Sequence, residues 1–436
     1  MKWIETSIYE YCPFSYGKGL KKETRKNGRT PVFGSSGCVG YNDRPYIDQA
    51  GIIIGRKGTV GKVQLSLEAF WPIDTTFYIS GFSEKELYFI YYLLKVLQLE
   101  KMNSDSAIPG LSREAVHAIS VIIPEKKEDR EKIGDLLYKF DNKIELNNQI
   151  NQTLEQMAQG LFKSWFVDFE PVGAKAEAVE AGNDPELAAM QVISGKSIEE
   201  LERFAQSDSV AYHELAHTAS LFPSEFVESE LGMIPMGWEV KPLSKYSGFK
   251  SGYAFKSSQW KDYGIPVIKI GCLQSRIVNL QKASFISLDD MGKISSDFKV
   301  NMGDCLVSMT GEYIGAVSLV ATKGDVFINQ RVGVFKPFSE EYNSYLYSVV
   351  FLKEFKEYII SKSYGSAQAN ISSSAILDYI CVWADNTLIK KYNLLVADFI
   401  ERIVQNYNES ETLVLFRDTL LPKLLSGEIE ISGDEG

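Results

Sequence analysis

Some short patterns in this chain carry residue types able to do chemistry. His213-Glu214-Leu215-Ala216-His217 has the HExxH spacing, in which two histidines one helical turn apart hold zinc and the glutamate activates water. The chain has three histidines in all, so besides His117 any third ligand must be a carboxylate. Gly55-Arg56-Lys57-Gly58-Thr59-Val60-Gly61-Lys62-Val63 approaches a phosphate loop. Its first glycine comes one place early, and Val63 stands where a magnesium-binding hydroxyl is required. A glycine-rich turn carrying basic residues describes it better.

Two further near-matches concern base chemistry. Asn42-Asp43-Arg44-Pro45-Tyr46 departs from the Asn-Pro-Pro-Tyr motif with which adenine methyltransferases hold a flipped base. Phe33-Gly34-Ser35-Ser36-Gly37 lacks the glycine pattern of their cofactor loop. The chain is therefore not expected to methylate DNA itself, and no cofactor or metal is assigned to it.

What remains suits contact with nucleic acid. Lys18, Lys21, Lys22, Arg25, Lys26 and Arg29 crowd one loop, and Arg56, Lys57 and Lys62 lie on glycine turns. Lys245, Lys250, Lys256, Lys261, Lys269 and Arg276 cover the equivalent later stretch, interleaved with Tyr253, Phe255, Trp260 and Tyr263. Cations near phosphate give affinity, whereas Arg, Lys, Gln and Ser at base edges give sequence choice. The candidate DNA-binding residues are Lys18, Lys22, Arg25, Arg29, Ser35, Ser36, Arg56, Lys57 and Thr59 in the first half. In the second half they are Lys256, Lys269, Arg276, Thr310, Tyr313, Gln330, Arg331, Ser366 and Gln368.

The elements that must position these residues occur twice. Arg29-Thr30-Pro31-Val32 before Gly37-Cys38 is echoed by Ile265-Pro266-Val267 before Gly271-Cys272. Gly51-Ile52-Ile53-Ile54 with Gly58 and Gly61 is echoed by Gly303-Asp304-Cys305-Leu306 with Gly311 and Gly315. Ser106-Ala107 before Leu111-Ser112 is echoed by Ser366-Ala367 before Ile371-Ser372. The shared order points to two copies of one α+β module. Strands are expected at Gly51–Gly55, Gly61–Leu67, Thr75–Ile79 and Val326–Phe335, with covering helices at Glu84–Leu99 and Glu341–Ile360.

A long helix is expected after each module. From Glu128 to about Phe166 the residues Ile133, Leu137, Phe140, Ile144, Asn147, Asn151, Leu154, Ala158, Leu161 and Trp165 alternate spacings of four and three, a coiled-coil seam. Moving along by 259 residues gives Tyr392, Val396, Phe399, Ile403, Asn406, Ser410, Leu413, Arg417, Leu420 and Leu424. The polar stations recur, Asn147 with Asn406 and Asn151 with Ser410. Arg417 interrupts the second seam, and Pro422 is expected to limit its last turn.

Composition bounds the rest. The 436 residues are 45% hydrophobic and 24% charged, which excludes wholesale disorder and suggests two or three domains. The net charge of −11 is concentrated. Fourteen acids lie between Asp168 and Glu230 against Lys175, Lys196 and Arg203, so this one segment holds the whole excess. It is read as a solvated acidic connector with some helical character and no core to shape a dry cleft. Five scattered cysteines without a CxxC pair suggest neither a disulfide framework nor a zinc site. Without an apolar leader or a membrane-length run, a soluble cytoplasmic protein is expected.

Three local signatures resemble the specificity subunits of type I restriction–modification systems. They are Asn147-Asn148-Gln149-Ile150-Asn151 with Leu161-Phe162-Lys163-Ser164-Trp165-Phe166-Val167-Asp168-Phe169-Glu170-Pro171; Leu221-Phe222-Pro223 with Ser229-Glu230-Leu231-Gly232-Met233-Ile234-Pro235-Met236-Gly237-Trp238; and Leu420-Leu421-Pro422-Lys423-Leu424-Leu425-Ser426-Gly427-Glu428. The resemblance implies two target-recognition domains, at 1–125 and 231–385, each reading one half of a bipartite site in double-stranded DNA. It implies two long antiparallel coiled-coil helices, at 126–166 and 386–428, separating the domains as a ruler, with 167–230 as the acidic connector. Two methyltransferase (modification) subunits and two restriction (motor-nuclease) subunits are the implied partners, and the subunit itself is non-catalytic. A helix of about 39 residues extends just under ~60 Å, which spans more than one DNA turn of about 34 Å. The alternatives are a zinc-dependent hydrolase built on His213-Glu214-x-x-His217, and a coiled-coil scaffold with no DNA role.

Overall fold

The computed structural model describes residues 1–102, 110–363 and 370–431. The chain divides into two compact units, one made of Met1–Asn147 with the C-terminal stretch from Glu409, the other of Asn148–Asn408.

In the first unit β1 (Trp3–Ser7) leads into a helical turn, α1 (Ile8–Tyr11), then β2 (Ser15–Tyr16), β3 (Thr30–Gly34), β4 (Gly37–Asn42), β5 (Gly51–Gly55), β6 (Val63–Ser66), β7 (Trp71–Pro72) and β8 (Thr76–Ser80). One sheet has the order β2-β8-β5-β6, and a second has β4-β3-β7. The expected central strand is β5, whose Gly-Ile-Ile-Ile-Gly is buried throughout because β6 and β8 flank it on both edges. Helix α2 (Glu84–Val96) covers this sheet. Ser83 caps it by accepting from the Glu86 amide at 3.3 Å, and Leu87, Phe89, Ile90 and Leu94 form its buried face. Helix α3 (Arg113–His117) and β9 (Ser120–Pro124) return the chain to pair with β1. Helix α4 (Lys127–Phe166) follows, and Ile133 and Leu137 join the core under α2.

In the second unit the segment expected to be a solvated connector is instead a packed helical cluster. It comprises α5 (Glu170–Ala181), α6 (Pro185–Ser194), α7 (Ile198–Ser207) and α8 (Ser209–Ser220). Its helices are capped by Asp184, Ser197 and Asp208, and Gly182 and Gly195 end the first two in left-handed conformation. Ala189, Met190, Leu201 and Ala219 make a small core, and buried Lys175 donates to Glu186 at 2.7 Å and to the Phe222 carbonyl at 2.8 Å. The acids that suggested solvation, among them Glu177, Glu180, Glu199, Glu200 and Glu202, are on the outer faces. Small alanines between them supply an apolar face too narrow to stand out against the charge.

A hairpin of β10 (Phe226–Ser229) and β11 (Gly232–Pro235) precedes the second module. This contains β12 (Glu239–Pro242), β13 (Ser247–Ser251), β14 (Ile265–Ile268), β15 (Ser284–Ile286), a helical turn α9 (Leu288–Met291), β16 (Lys299–Val300), β17 (Cys305–Ser308), β18 (Val317–Leu319), β19 (Val326–Ile328) and β20 (Val332–Pro337). The sheet orders β13-β20-β17-β18 and β15-β14-β19-β16 follow those of the first module, with β16 added at the edge of the second sheet. In both, the proline-bearing strand (β3 or β14) pairs antiparallel with its successor and parallel with a later strand. The expected single strand Val326–Phe335 is two strands, because Asn329-Gln330-Arg331 turns between sheets. The expected helix Glu341–Ile360 is likewise broken into α10 (Asn343–Val350) and α11 (Lys353–Lys362).

The last elements repeat the first module again. Helix α12 (Ser373–Leu377) is capped by Ser372 through the Ala375 amide at 3.1 Å, as α3 is capped by Ser112 through Ala115 at 3.2 Å. Strand β21 (Ile380–Trp383) pairs with β12 as β9 pairs with β1. Helix α13 (Asn386–Ser426) then runs through Pro422, which falls in its last turn or so, and stops at Gly427, whose φ is +75°.

Both long helices pack antiparallel within each unit. In the first unit Asn147 donates to Glu409 at 2.9 Å and to Ser410 at 3.2 Å, and Arg417 pairs with Asp141. In the second, Asn406 donates to Asn151 at 2.8 Å, and Asn151 donates to the Ile403 carbonyl at 3.2 Å. Ile133, Leu137, Asn147, Val396, Ile403 and Asn406 are buried, and Phe140, Ile144, Leu154, Leu161, Phe399, Leu413 and Leu420 are half-buried, so the whole seam is inward. No helix among the described residues is long and apolar enough to cross a membrane.

Candidate nucleic-acid interface

In the first module the turn from β5 to β6 is the organising feature. Gly61 donates to the Gly55 carbonyl at 2.8 Å and Gly55 to that of Lys62 at 2.9 Å. Gly58 and Gly61 have φ of +79° and +75°, and a Cβ at Gly61 would sit 2.3 Å from the Glu100 amide nitrogen. Glycine is there for backbone shape and close approach, which accounts for the resemblance to a phosphate loop. The Arg56 guanidinium donates to the Asp74 carbonyl at 3.1 Å and lies 5.0 Å from the centre of the Tyr16 ring. Lys62 donates to the Ser36 carbonyl at 2.5 Å, and Gln64 donates to Gly34 at 3.2 Å. These bonds bring Ser35, Ser36, Arg56, Lys57 and Thr59 into one corner.

The neighbouring basic loop is less uniform than its sequence. Lys18 is exposed, with its ammonium 5.3 Å from the Tyr46 ring centre, and its amide anchors to Pro72 at 2.9 Å. Arg25 is spent on structure, donating to the Val39 carbonyl at 2.7 Å. Lys22 and Arg29 are exposed on the same loop. Arg113 was not singled out from the sequence. It stacks on Tyr16 at 4.5 Å, and the repeated Leu111-Ser112 signal immediately before it marks the position.

The second module builds the same corner between β17 and β18. Gly315 donates to the Ser308 carbonyl at 2.9 Å and Ser308 to that of Ala316 at 2.9 Å, with φ of +75° at both Gly311 and Gly315. Met309 donates to the Arg331 carbonyl at 2.9 Å, as Arg56 does to Thr75, and Ile371 donates to Met309 at 3.1 Å, as Leu111 does to Arg56 at 2.9 Å. Thr310, Tyr313, Gln330 and Arg331 are thereby gathered. Lys269 adjoins them through Ile270, whose side chain reaches Gly311. Its ammonium lies 3.8 Å from the Trp260 ring centre, and burial holds its pKa below the usual lysine range. Lys256 is exposed beside the Tyr253–Phe255–Trp260 aromatic run. Arg276 is drawn elsewhere, paired with Glu155 at 3.5 Å and resting 4.6 Å from the Phe351 ring centre. Ser366 and Gln368 lie outside the described residues.

Beside each turn lies a groove in a matching position. That of the first module (≈410 Å³) runs between Gly61–Val63 and Tyr91, Leu94 and Lys95 of α2. That of the second (≈570 Å³) runs between Glu312–Ile314 and Lys356 and Ile360 of α11.

The HExxH residues make no comparable site. His213, Glu214 and His217 sit on exposed positions of α8, and Lys391 holds the Glu214 carboxylate at 2.6 Å, lowering its pKa. Among the described residues no group of three or more His, Cys, Asp or Glu side chains gathers to hold a metal.

Comparison with known proteins agrees with the duplicated architecture. The family model described as the type I restriction modification DNA specificity domain matches residues 2–156 and 235–380. The type I restriction enzyme HindI specificity subunit of Haemophilus influenzae is 35% identical over 333 residues, which cover 74% of this chain and 71% of that protein. The MjaIX specificity subunit of Methanocaldococcus jannaschii is 23% identical over 356 residues, covering 79% and 69%. The crystal structure of the type I restriction-modification S subunit from M. genitalium shares the fold, with a TM-score of 0.60 at 16% identity over 97% of this chain and 96% of that one. The chain belongs to the DNA specificity subunits of type I restriction–modification systems.

Proposed function

We propose that each module reads one half of a bipartite site in double-stranded DNA, through the corner built on its glycine turn. The recognition domains are residues 1–125 and 231–385, and the long helices set the number of unread base pairs between the half-sites. The chain carries no catalysis of its own. It directs two adenine-modifying methyltransferase subunits and two motor-nuclease restriction subunits to the site it reads.

One observation carries this reading: the same hydrogen-bonded turn, with the same glycine conformations, recurs in both modules and presents a different set of polar side chains in each. A constant frame with variable side chains is what a protein needs to read two different sequences with one fold. Lys18, Lys22, Arg29, Lys57, Lys256 and Arg331 are exposed and available to phosphate or base edges. The test is methylome sequencing of host DNA with and without the chain, with the modification subunit present throughout. Methylated adenines at one bipartite motif only when the chain is present is the expected result. The same methylated sites without the chain would refute it.

A further inference from the structure

The two glycine turns are framed by corresponding hydrogen bonds yet are opposite in the charge they display. Between the paired left-handed glycines the first module has Thr59-Val60, and the second has Glu312-Tyr313-Ile314. Val60 and Ile314 are both 8% exposed, each plugging its turn into the core, so the extra residue of the second turn falls on the outer side. The cation Lys57, just before the first glycine, has Thr310 as its counterpart, since Lys57 bridges to Gly110 as Thr310 bridges to Asn370. The first turn therefore displays Lys57 and Thr59, and the second Glu312 and Tyr313, with the Thr310 hydroxyl turned inward.

These groups are uncommitted in a way that their neighbours are not. Arg56 and Lys62 are held by backbone carbonyls, and Arg276 by Glu155. Lys57 and Glu312 are exposed, and neither enters an ion pair among the described residues. A carboxylate on a surface that meets DNA is repelled by every phosphate, so it is useful only against a hydrogen-bond donor. In the major groove those donors are the amino groups of cytosine and adenine, and a glutamate pairs characteristically with the cytosine N4 amino group. A lysine ammonium has the reverse requirement and is matched by the O6 and N7 acceptors of guanine.

We propose that the turns are specificity-determining cassettes of opposite sign: Lys57 selects a guanine in one half-site, and Glu312 selects a cytosine amino group in the other. This rests on the DNA-reading function above. The backbone frame is the common part, and the residues between and beside its glycines are the replaceable part.

The test uses the full chain with its modification subunit and methylome sequencing of wild type, Lys57→Met and Glu312→Gln. Each variant is expected to relax one G·C position of one half-site by about tenfold or more, and to leave the other half-site unchanged, which also reports that the chain has folded. Glu312→Gln is further expected to gain acceptance of adenine, which an amide pairs with in bidentate fashion. Unaltered half-sites in both variants overturn the cassette assignment while leaving the DNA-reading function standing. Methylation at the same sites without the chain overturns both.

Discussion

Asn406 donates its amide to the Asn151 side-chain oxygen at 2.8 Å, at one of the polar stations that interrupt the mainly apolar helix seam. Asn406 is 1% exposed, and Asn151 donates onward to the Ile403 carbonyl. A polar pair buried this way fixes which residues face each other at some cost in stability. Asn151→Ala is therefore expected to lower stability by about 1–3 kcal/mol, by stripping partners from buried polar groups. Asn151→Leu with Asn406→Leu should recover that loss and instead broaden the seam to more than one register. Thermal unfolding measures the first effect, and crosslinking between cysteines introduced along the seam measures the second.

Gly134 presents a case in which helix propensity and packing disagree. Glycine inside a helix is worse than alanine by about 1 kcal/mol, so Gly134→Ala is stabilising on propensity alone. Yet a Cβ there would lie 2.4 Å from the Lys85 carbonyl oxygen and 2.6 Å from the Phe89 amide nitrogen, where α2 crosses α4. Those atoms are backbone and cannot swing aside. Gly134→Ala is expected to destabilise by at least ~1–3 kcal/mol, seen as a lower urea midpoint. A raised midpoint would mean the two helices part easily.

The seam was legible in the sequence because its period and its polar breaks depend on residue type alone, and every seam position faces inward. The duplication was legible for a similar reason: left-handed glycines and serine caps are chemically distinctive. The helical cluster around Lys175 was not. Its core is small, with Ala189, Met190, Leu201 and Ala219 at its centre, and the charge of the glutamates between them obscured the pattern. The fate of individual cations was equally hidden. Arg25 and Arg276 look like Lys22 and Lys256 in a run of basic residues, and only the folded position of Val39 or Glu155 separates a structural cation from an available one.

Glu155 makes the second unit sensitive to pH. Burial pushes its pKa above the ordinary value of 4.5, and Arg276 only partly offsets this. The folded state then binds a proton more tightly than the unfolded chain. The associated stability is full below the unfolded value near 4.5 and is lost as pH rises through the folded value. Glu155→Gln should flatten the stability–pH curve in the window just above 4.5. It should also free the Arg276 guanidinium. An unchanged curve from unfolding measured across that range would exclude Glu155 as its source.

The exposed cations should separate from the structural ones by salt dependence. Each lysine that neutralises a phosphate releases counterions, so its loss lowers the slope of log affinity against log salt by about 1. Replacing Lys18, Lys22 and Arg29 together with glutamine is expected to weaken binding alike for correct and incorrect sequences, and to lower the slope by up to about 3. Arg276→Gln should leave the slope unchanged, because its guanidinium is already paired with Glu155. The measurement is a salt titration of a labelled duplex, bound by the chain assembled with its modification subunits. A slope that falls for Arg276→Gln but not for the triple variant would reverse the assignment of which cations meet DNA.

Helix length gives the last expected outcome. One heptad removed from each long helix at matched positions keeps the seam in phase and shortens both by about 10 Å, at roughly 1.5 Å per residue. DNA rises about 3.4 Å per base pair, so the methylated motif should keep both half-sites and lose about three unread base pairs between them. Methylome sequencing reads all three quantities at once. Half-sites that change while the spacing stays constant would show that the helices contribute to base reading and do not set the distance.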